Sequence, residues 1–340
     1  MTLNFEQAKL LDNLLVDEKK FDNKLYSAGP YWKYKTKKIL YWLKKKGLND
    51  FRGSDSGVGT SYTDNIVLDA RNELGLRGRI IGYLTRLPFI SKIYEEQTKL
   101  TSSYIKQIIK KNQIYYENNE RVSYLISNYK IKNSVSYGCK SYFKNQKGNF
   151  STHYLGMCDR IDNINNLIKL SDLRSYMEIG GGFGSNIHIL IDNFKNLKKI
   201  IYVDIVPNIF VGTEYLRSIF GNSIKDYNLY RNEDEIKFSN DDNLEIICLP
   251  PWKIKNISST VDHLHNAASF QEMTESVVKN YYTLIKKLLK KYSISLIVYK
   301  NSAKSSTLTV DQINKIFEDN LISKEFKTID HKDQIYLLSK

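Results

Sequence analysis

From about Ser175 to Lys300, short apolar runs alternate with amphipathic stretches: SYMEI, SNIHILIDNF, KKIIYVD, PNIFVGTEYLRSIFG, LEIICL, VDHLHN, ESVVKNYYTLIKKLLKK and ISLIVYK. Strand-length runs separated by helix-length ones predict βαβ units and a parallel sheet. The rhythm then changes. DQINKIFEDN predicts a helix, and ISKEFKTI and DQIYLLS predict two strands joined by a polar turn, so the sheet should end in an antiparallel strand. Before Ser175 the pattern is mainly helical. LDNLLVDEKKF reads as one helix, and YWKYKTKKILYWLKKKG as another, with Ile39, Leu40, Trp42 and Leu43 as its apolar stripe and Gly47 as its stop. Arg52 to Asn65 is a glycine- and hydroxyl-rich loop, and helical patterns resume from 65 to 129. Tyr137 to Tyr154 reads as irregular or a short hairpin, and a further helix runs from about Tyr154 to Leu170. Two domains are therefore expected: residues 1–165, a helical lid or substrate domain, and residues 166–340, a Rossmann-like domain.

Composition narrows the class. Hydrophobic residues make up 41% of the chain, enough to bury real cores. The longest apolar stretch, Ile80 to Ile93, is broken by Arg86, Pro88 and Lys92, so no membrane span is expected. Cys139, Cys158 and Cys248 are odd in number and widely spaced, which speaks for a reducing compartment, the cytoplasm, over a disulfide framework. The formal charge of +14 suggests nucleic acid at first sight, but 41 of the 51 basic residues are lysines and only 10 are arginines. Base and phosphate readout favours the arginine fork. The lysine clusters at Lys35 to Lys38, Lys44 to Lys46 and Lys286 to Lys291 read as solvated helix faces. Nucleic acid is therefore not an expected partner, and contact with an anionic membrane surface or a nucleotide-linked substrate is kept as a minority reading. Oligomeric state is not readable.

The chemistry concentrates in Met177-Glu178-Ile179-Gly180-Gly181-Gly182-Phe183-Gly184-Ser185-Asn186, between a predicted strand and a predicted helix. The pattern is ExGxGxG, carried by Glu178, Gly180, Gly182 and Gly184; Ser185 stands where the dinucleotide GxGxxG fingerprint has its third glycine. An acid two residues before the first glycine suits an ammonium group, such as the methionyl end of S-adenosylmethionine (SAM), and sits poorly beside a pyrophosphate. Twenty residues after Gly184 the next strand ends in Asp204, placed to accept both ribose hydroxyls, and Pro207 follows as a helix start. Turn, acid and terminal hairpin together point to SAM as cofactor, on a class I SAM methyltransferase fold.

At this point the chain resembles a known family, the sugar O-methyltransferases of bacterial surface-polysaccharide gene clusters. The resemblance lies in EIGGGFGSN, YVDIVPNIFVGTEYLRSIFG, LPPW (Leu249 to Trp252) and NAASFQEM (Asn266 to Met273), and more loosely in Tyr31-Trp32 and the DFRG-to-SYTDN segment. It implies methylation of a sugar hydroxyl on a glycan precursor or nucleotide sugar. A sugar hydroxyl is a weak nucleophile, so a general base is expected near the end of the fourth strand. Glu272 is the first candidate, His265 the second, and Gln271 belongs to the same turn. Helix capping is the competing role for Glu272, and core packing for His265. Asn266 at the strand end and Trp252 after the third strand are cofactor-side candidates, although Trp252 could equally pack its own loop. The acidic pairs Asp241-Asp242 and Asp262 with Glu272 lack a diagnostic metal spacing, so Mg²⁺ stays undecided. His153, Asp159 and Arg160 could face the cleft, but read more readily as surface polar residues on a helix. The competing classes are an RNA or other small-molecule methyltransferase, disfavoured by the lack of an NPPY- or DPPY-type motif, and a non-catalytic SAM-domain scaffold.

Overall fold

The computed structural model describes residues 3–21, 24–48, 110, 114–131, 143–145, 148–291, 293–300, 307–329 and 333–339. The expected Arg52 to Asn65 loop, and most of the helical stretch expected after it, lie outside them. Ten strands are present among the described residues. β1 (Phe143–Asn145) and β2 (Gly148–Phe150) form a small hairpin, and the other eight form one sheet: β3 (Ser175–Ile179), β4 (Lys199–Val203), β5 (Ile224–Lys225), β6 (Glu245–Leu249), β7 (His263–Ala267), β8 (Ile294–Tyr299), β9 (Leu321–Lys327) and β10 (Asp333–Ser339). The order across the sheet is β5-β6-β4-β3-β7-β8-β10-β9. With β3 counted first and the two-residue edge strand β5 set aside, this is order 3-2-1-4-5-7-6. Every pairing from β5 to β8 is parallel, whereas β10 runs antiparallel to both β8 and β9. The central strands KIIYV, EIICL and ISLIVY are nearly continuous apolar runs because helices cover both faces of the sheet.

The covering helices are α1 (Phe5–Phe21), α2 (Pro30–Lys46), α3 (Glu120–Asn128), α4 (Thr152–Asn165), α5 (Ser185–Asn193), α6 (Asn208–Phe220), the single turn α7 (Tyr227–Tyr230), α8 (Glu275–Ile285) and α9 (Val310–Ile316). α2 ends as its sequence predicts, with Gly47 at a φ of 63° donating its N–H to the Leu43 carbonyl. The N-terminal helices share their core with the sheet. One cluster joins Leu10, Leu11 and Leu14 of α1, Ile39 and Leu43 of α2, and Tyr154, Leu155, Cys158 and Ile161 of α4 to Ile200 and Tyr202 of β4. A second cluster fills the opposite face under α8 and α9.

Two charged anchors fix this arrangement. Asp17 on α1 accepts from Arg231 Nε at 2.6 Å and from the Tyr227 hydroxyl at 2.9 Å, and these donors hold its carboxyl down at about 2 despite the cost of burial. Arg121 on α3 reaches both Asp159 (2.8 Å) and Asp162 (2.7 Å) on α4. Among the described residues no helix is long and apolar enough to cross a membrane. Cys158 and Cys248 are buried thiols, and burial pushes the Cys248 thiol up to about 12.

Candidate functional site

Strand order reverses between β3 and β7, because β4 lies on one side of β3 and β7 on the other. Such a switch point opens a crevice at the C-terminal strand ends. Here it opens into a cavity of about 550 Å³. Its floor is the β3–α5 turn, Gly180 to Phe183, and the tips of β4 and β7; its roof is one face of α4 and the segment Ser27 to Trp32 at the start of α2.

Glu178 stands on the floor, 2% exposed. Asn186 Nδ2 donates to its Oε1 at 2.9 Å, whereas Oε2 has no hydrogen-bond partner among the described residues. Burial outweighs the Asn186 bond and pushes the carboxyl up to about 8, with Asp204 adding like-charge repulsion. Asp204, at the tip of β4, accepts the Gly182 N–H at 2.8 Å and the Ile205 N–H at 2.7 Å. These two donors favour the anion, yet burial still moves the group up to about 7. Beyond Asp204 the cavity is lined by Ile205, Asn208 and Pro251.

Gly184 does not line the cavity. It caps α5 at a φ of 86°, and a Cβ there would lie 2.9 Å from Leu216 Cγ on α6. The residue is required by backbone conformation and by close packing. Gly184→Ala should therefore cost about 1–3 kcal/mol in urea unfolding, while ligand affinity at the cavity stays near that of the unaltered protein. A strong loss of affinity with unchanged stability would contradict this assignment.

The turn after β7 holds Glu272 in the cavity wall. The helix that follows begins at Glu275 with Thr274 as its N-cap, so Glu272 lies in the 3₁₀ turn Ser269–Glu272 and does not cap it. Its Oε2 accepts the Trp32 indole N–H at 2.6 Å. Gly29 sits so close to this turn that a Cβ would fall 1.9 Å from the Glu272 carbonyl oxygen. The start of α2 is thus pressed against the turn that carries the carboxylate.

The remaining candidate residues take other places in the fold. His265 is buried and outside the cavity lining; its Nδ1 lies 2.8 Å from Ser295 Oγ, and burial lowers its pKa to about 3. It is a neutral sheet residue. Gln271 is a brace, donating to the Tyr299 carbonyl at 3.1 Å and accepting the Tyr299 N–H at 2.8 Å. Asn266 ties two strand ends, donating to the Ile179 carbonyl at 2.7 Å and accepting the Phe270 N–H at 3.1 Å. Trp252 is a buried pillar stacked on Phe21 of α1, with centroids 5.9 Å apart and planes 10° from parallel; its neighbour Pro251 reaches the cavity instead. The acidic pairs are dispersed. Asp262, at the opposite end of β7 from Glu272, accepts the Arg174 and Ser175 N–H groups, while Asp241 pairs with Lys199 and Asp242 with Arg174. No group of three or more His, Cys, Asp or Glu suited to a metal ion occurs among the described residues.

The reading of His153, Asp159 and Arg160 as surface residues is overturned. Asp159 is 2% exposed and bonded to Arg121 and to the Ile329 N–H. His153 and Arg160 line the cavity, together with Gly156 and Met157 of the same helix. The spacing i, i+3, i+4, i+7 is one helical face, a signal that was present in the sequence. His153 Nε2 lies 3.0 Å from Ser185 Oγ, and its ring is 5.1 Å from that of Phe183. Among the described lining residues Arg160 is the only Arg or Lys.

With this geometry the strand order is decisive. The chain has the class I SAM methyltransferase fold. No family model and no curated protein matches it. Among solved structures it is similar to the pyocyanin biosynthetic protein PhzM, at 10% identity and a TM-score of 0.38, over 56% of this chain and 58% of that one. It is also similar to magnesium protoporphyrin IX methyltransferase from Synechocystis PCC 6803 with bound S-adenosylhomocysteine (9%, TM-score 0.39, 55% and 84% covered). A third match is human N-acetylserotonin methyltransferase in complex with SAM (11%, TM-score 0.35, 55% and 54% covered).

Proposed function

We propose that the protein is a SAM-dependent O-methyltransferase whose acceptor is a sugar hydroxyl on a glycan precursor or nucleotide sugar. The observation that carries the cofactor is the unpartnered, buried Oε2 of Glu178, a residue lining the cavity alongside Asp204, whose carboxylate is held by two backbone donors. A buried acceptor left open is costly unless a ligand donor meets it. An α-ammonium fits Glu178, ribose hydroxyls fit Asp204, and Ile205 with Pro251 offers apolar walls for an adenine ring. SAM, when bound, supplies an electrophilic methyl group. The chain's own part is to orient the acceptor and take its proton, and Glu272, held by Trp32, is the carboxylate placed to do so. Residues 1–165 act as the acceptor-side cover, through Ser27 to Trp32 and the α4 face. The sugar itself is supported by the resemblance of EIGGGFGSN, LPPW and NAASFQEM.

Calorimetry should show S-adenosylhomocysteine binding in the micromolar range, and Asp204→Ala should weaken it by about 1.5–3 kcal/mol, the scale of lost charge-assisted hydrogen bonds. Absence of binding to the unaltered protein, or tight binding of NAD in its place, would refute the cofactor. Transfer of labelled methyl from SAM to nucleotide sugars and glycan fragments tests the acceptor.

A further inference from the structure

The cavity has a second polar pole. Gln334, on β10, is 1% exposed and lines the cavity, and its Nε2 has no hydrogen-bond partner among the described residues. Its Oε1 accepts from Arg160 Nε at 3.3 Å, so guanidinium and amide form one hydrogen-bonded unit in the wall of the same chamber. Arg160 is further steadied by Met157 Sδ, 3.6 Å from Nη1. At the Glu178 pole the open buried atom is an acceptor; at this pole it is a donor, set beside a permanent positive charge. The chemistry that satisfies a guanidinium and an amide N–H together is an oxyanion.

We propose that Arg160 and Gln334 form a subsite for an anionic group, a carboxylate or a phosphate, carried by the acceptor. The inference rests on the methyltransferase reading above and narrows its substrate to acidic or phosphorylated acceptors. The cofactor's own carboxylate is the other source of such chemistry, and the sheet argues against it. β7 and β8 lie between β3, which carries Glu178, and β10, which carries Gln334. Three strand spacings of about 4.8 Å amount to about 14 Å. An α-carboxylate shares its carbon with the ammonium bound at Glu178, and is therefore expected on the β3 side of the cavity, three strands from the backbone of Gln334.

The test uses the full chain, labelled with ¹⁵N-glutamine and saturated with S-adenosylhomocysteine. The Gln334 side-chain amide signal is identified by its loss in Gln334→Met. Inorganic phosphate or acetate, titrated at constant ionic strength, should shift that signal saturably, and the anion that saturates at lower concentration names the headgroup. In Arg160→Gln the same titration should need at least about tenfold more anion, with S-adenosylhomocysteine affinity within about twofold of the unaltered protein. A Gln334 signal that neither anion moves would overturn the subsite. A shift seen only in cofactor-free protein, or a cofactor affinity that collapses in Arg160→Gln, would assign the pair to the cofactor's carboxylate and overturn the proposal in that way. Failure of S-adenosylhomocysteine to bind at all is a separate result. It removes the methyltransferase reading, while the anion titration is still read on the free protein.

Discussion

Glu272→Gln should slow single-turnover methyl transfer by roughly 10²- to 10⁴-fold, the range lost with a general acid–base group, while S-adenosylhomocysteine affinity stays nearly unchanged. The substitution keeps the size of the side chain and an oxygen able to accept the Trp32 N–H, now at 2.6 Å from Oε2, but removes the charge that would draw a proton from the acceptor hydroxyl. Helix capping is already excluded as the residue's role, since Thr274 occupies the N-cap of α8. Melting temperature measured on the same preparation separates chemistry from stability: a shift of only a few degrees is expected. A near-normal rate would eliminate Glu272 as the base and turn attention to His153 on the α4 face, because His265 lies outside the cavity.

Cofactor affinity should climb with pH, and the stability of the free protein should lose ground over the same interval. Burial raises Glu178 to about 8 and Asp204 to about 7, whereas an unfolded carboxyl titrates near 4. Between about pH 4 and 8 the folded chain therefore holds more protons at these positions than the unfolded chain. Their contribution to stability is full below that window and is lost as pH rises through it. A bound ammonium favours ionised Glu178, so binding releases a proton and the affinity for S-adenosylhomocysteine rises by up to about tenfold per pH unit between about 6 and 8. Calorimetry in buffers of different ionisation heat reads the proton directly. 5′-Methylthioadenosine, which has no amino-acid end, should lose the Glu178 share of the effect, and Glu178→Gln should flatten it. An affinity independent of pH for the full ligand would refute the pairing of ammonium with Glu178.

The sheet was legible because its strands are apolar runs punctuated by glycine and by polar turns, and the reversal at the end was signalled by two strand-like runs with only a short polar stretch between them in the sequence. β5, two residues long, carries too little pattern to be read. Within the site, the positions of Glu178 and Asp204 follow from strand ends, where the local chain alone decides what faces the crevice. The partners of Asn266, Gln271 and His265 were not legible, for the complementary reason. Successive positions along β7 point to opposite faces, Gln271 follows in the 3₁₀ turn, and partners such as Ser295 and Tyr299 arrive from another strand. Trp252 depended on Phe21, a residue far away in sequence. The α4 face was ranked below a surface reading because a histidine and an arginine on a helix look solvated until a strand from the far end of the chain, with Gln334, encloses them.

The bond between Trp32 and Glu272 also gives the protein an optical property. An indole whose N–H is held by a carboxylate has an emission that responds to the charge and hydration of that partner. Trp32 lines the cavity, so filling it changes the surroundings of this ring, whereas Trp252, buried and stacked on Phe21, contributes a steady background. The difference in emission between the unaltered protein and Trp32→Phe isolates the cavity's own signal. Arrival and departure of ligands then become observable in stopped flow without a label.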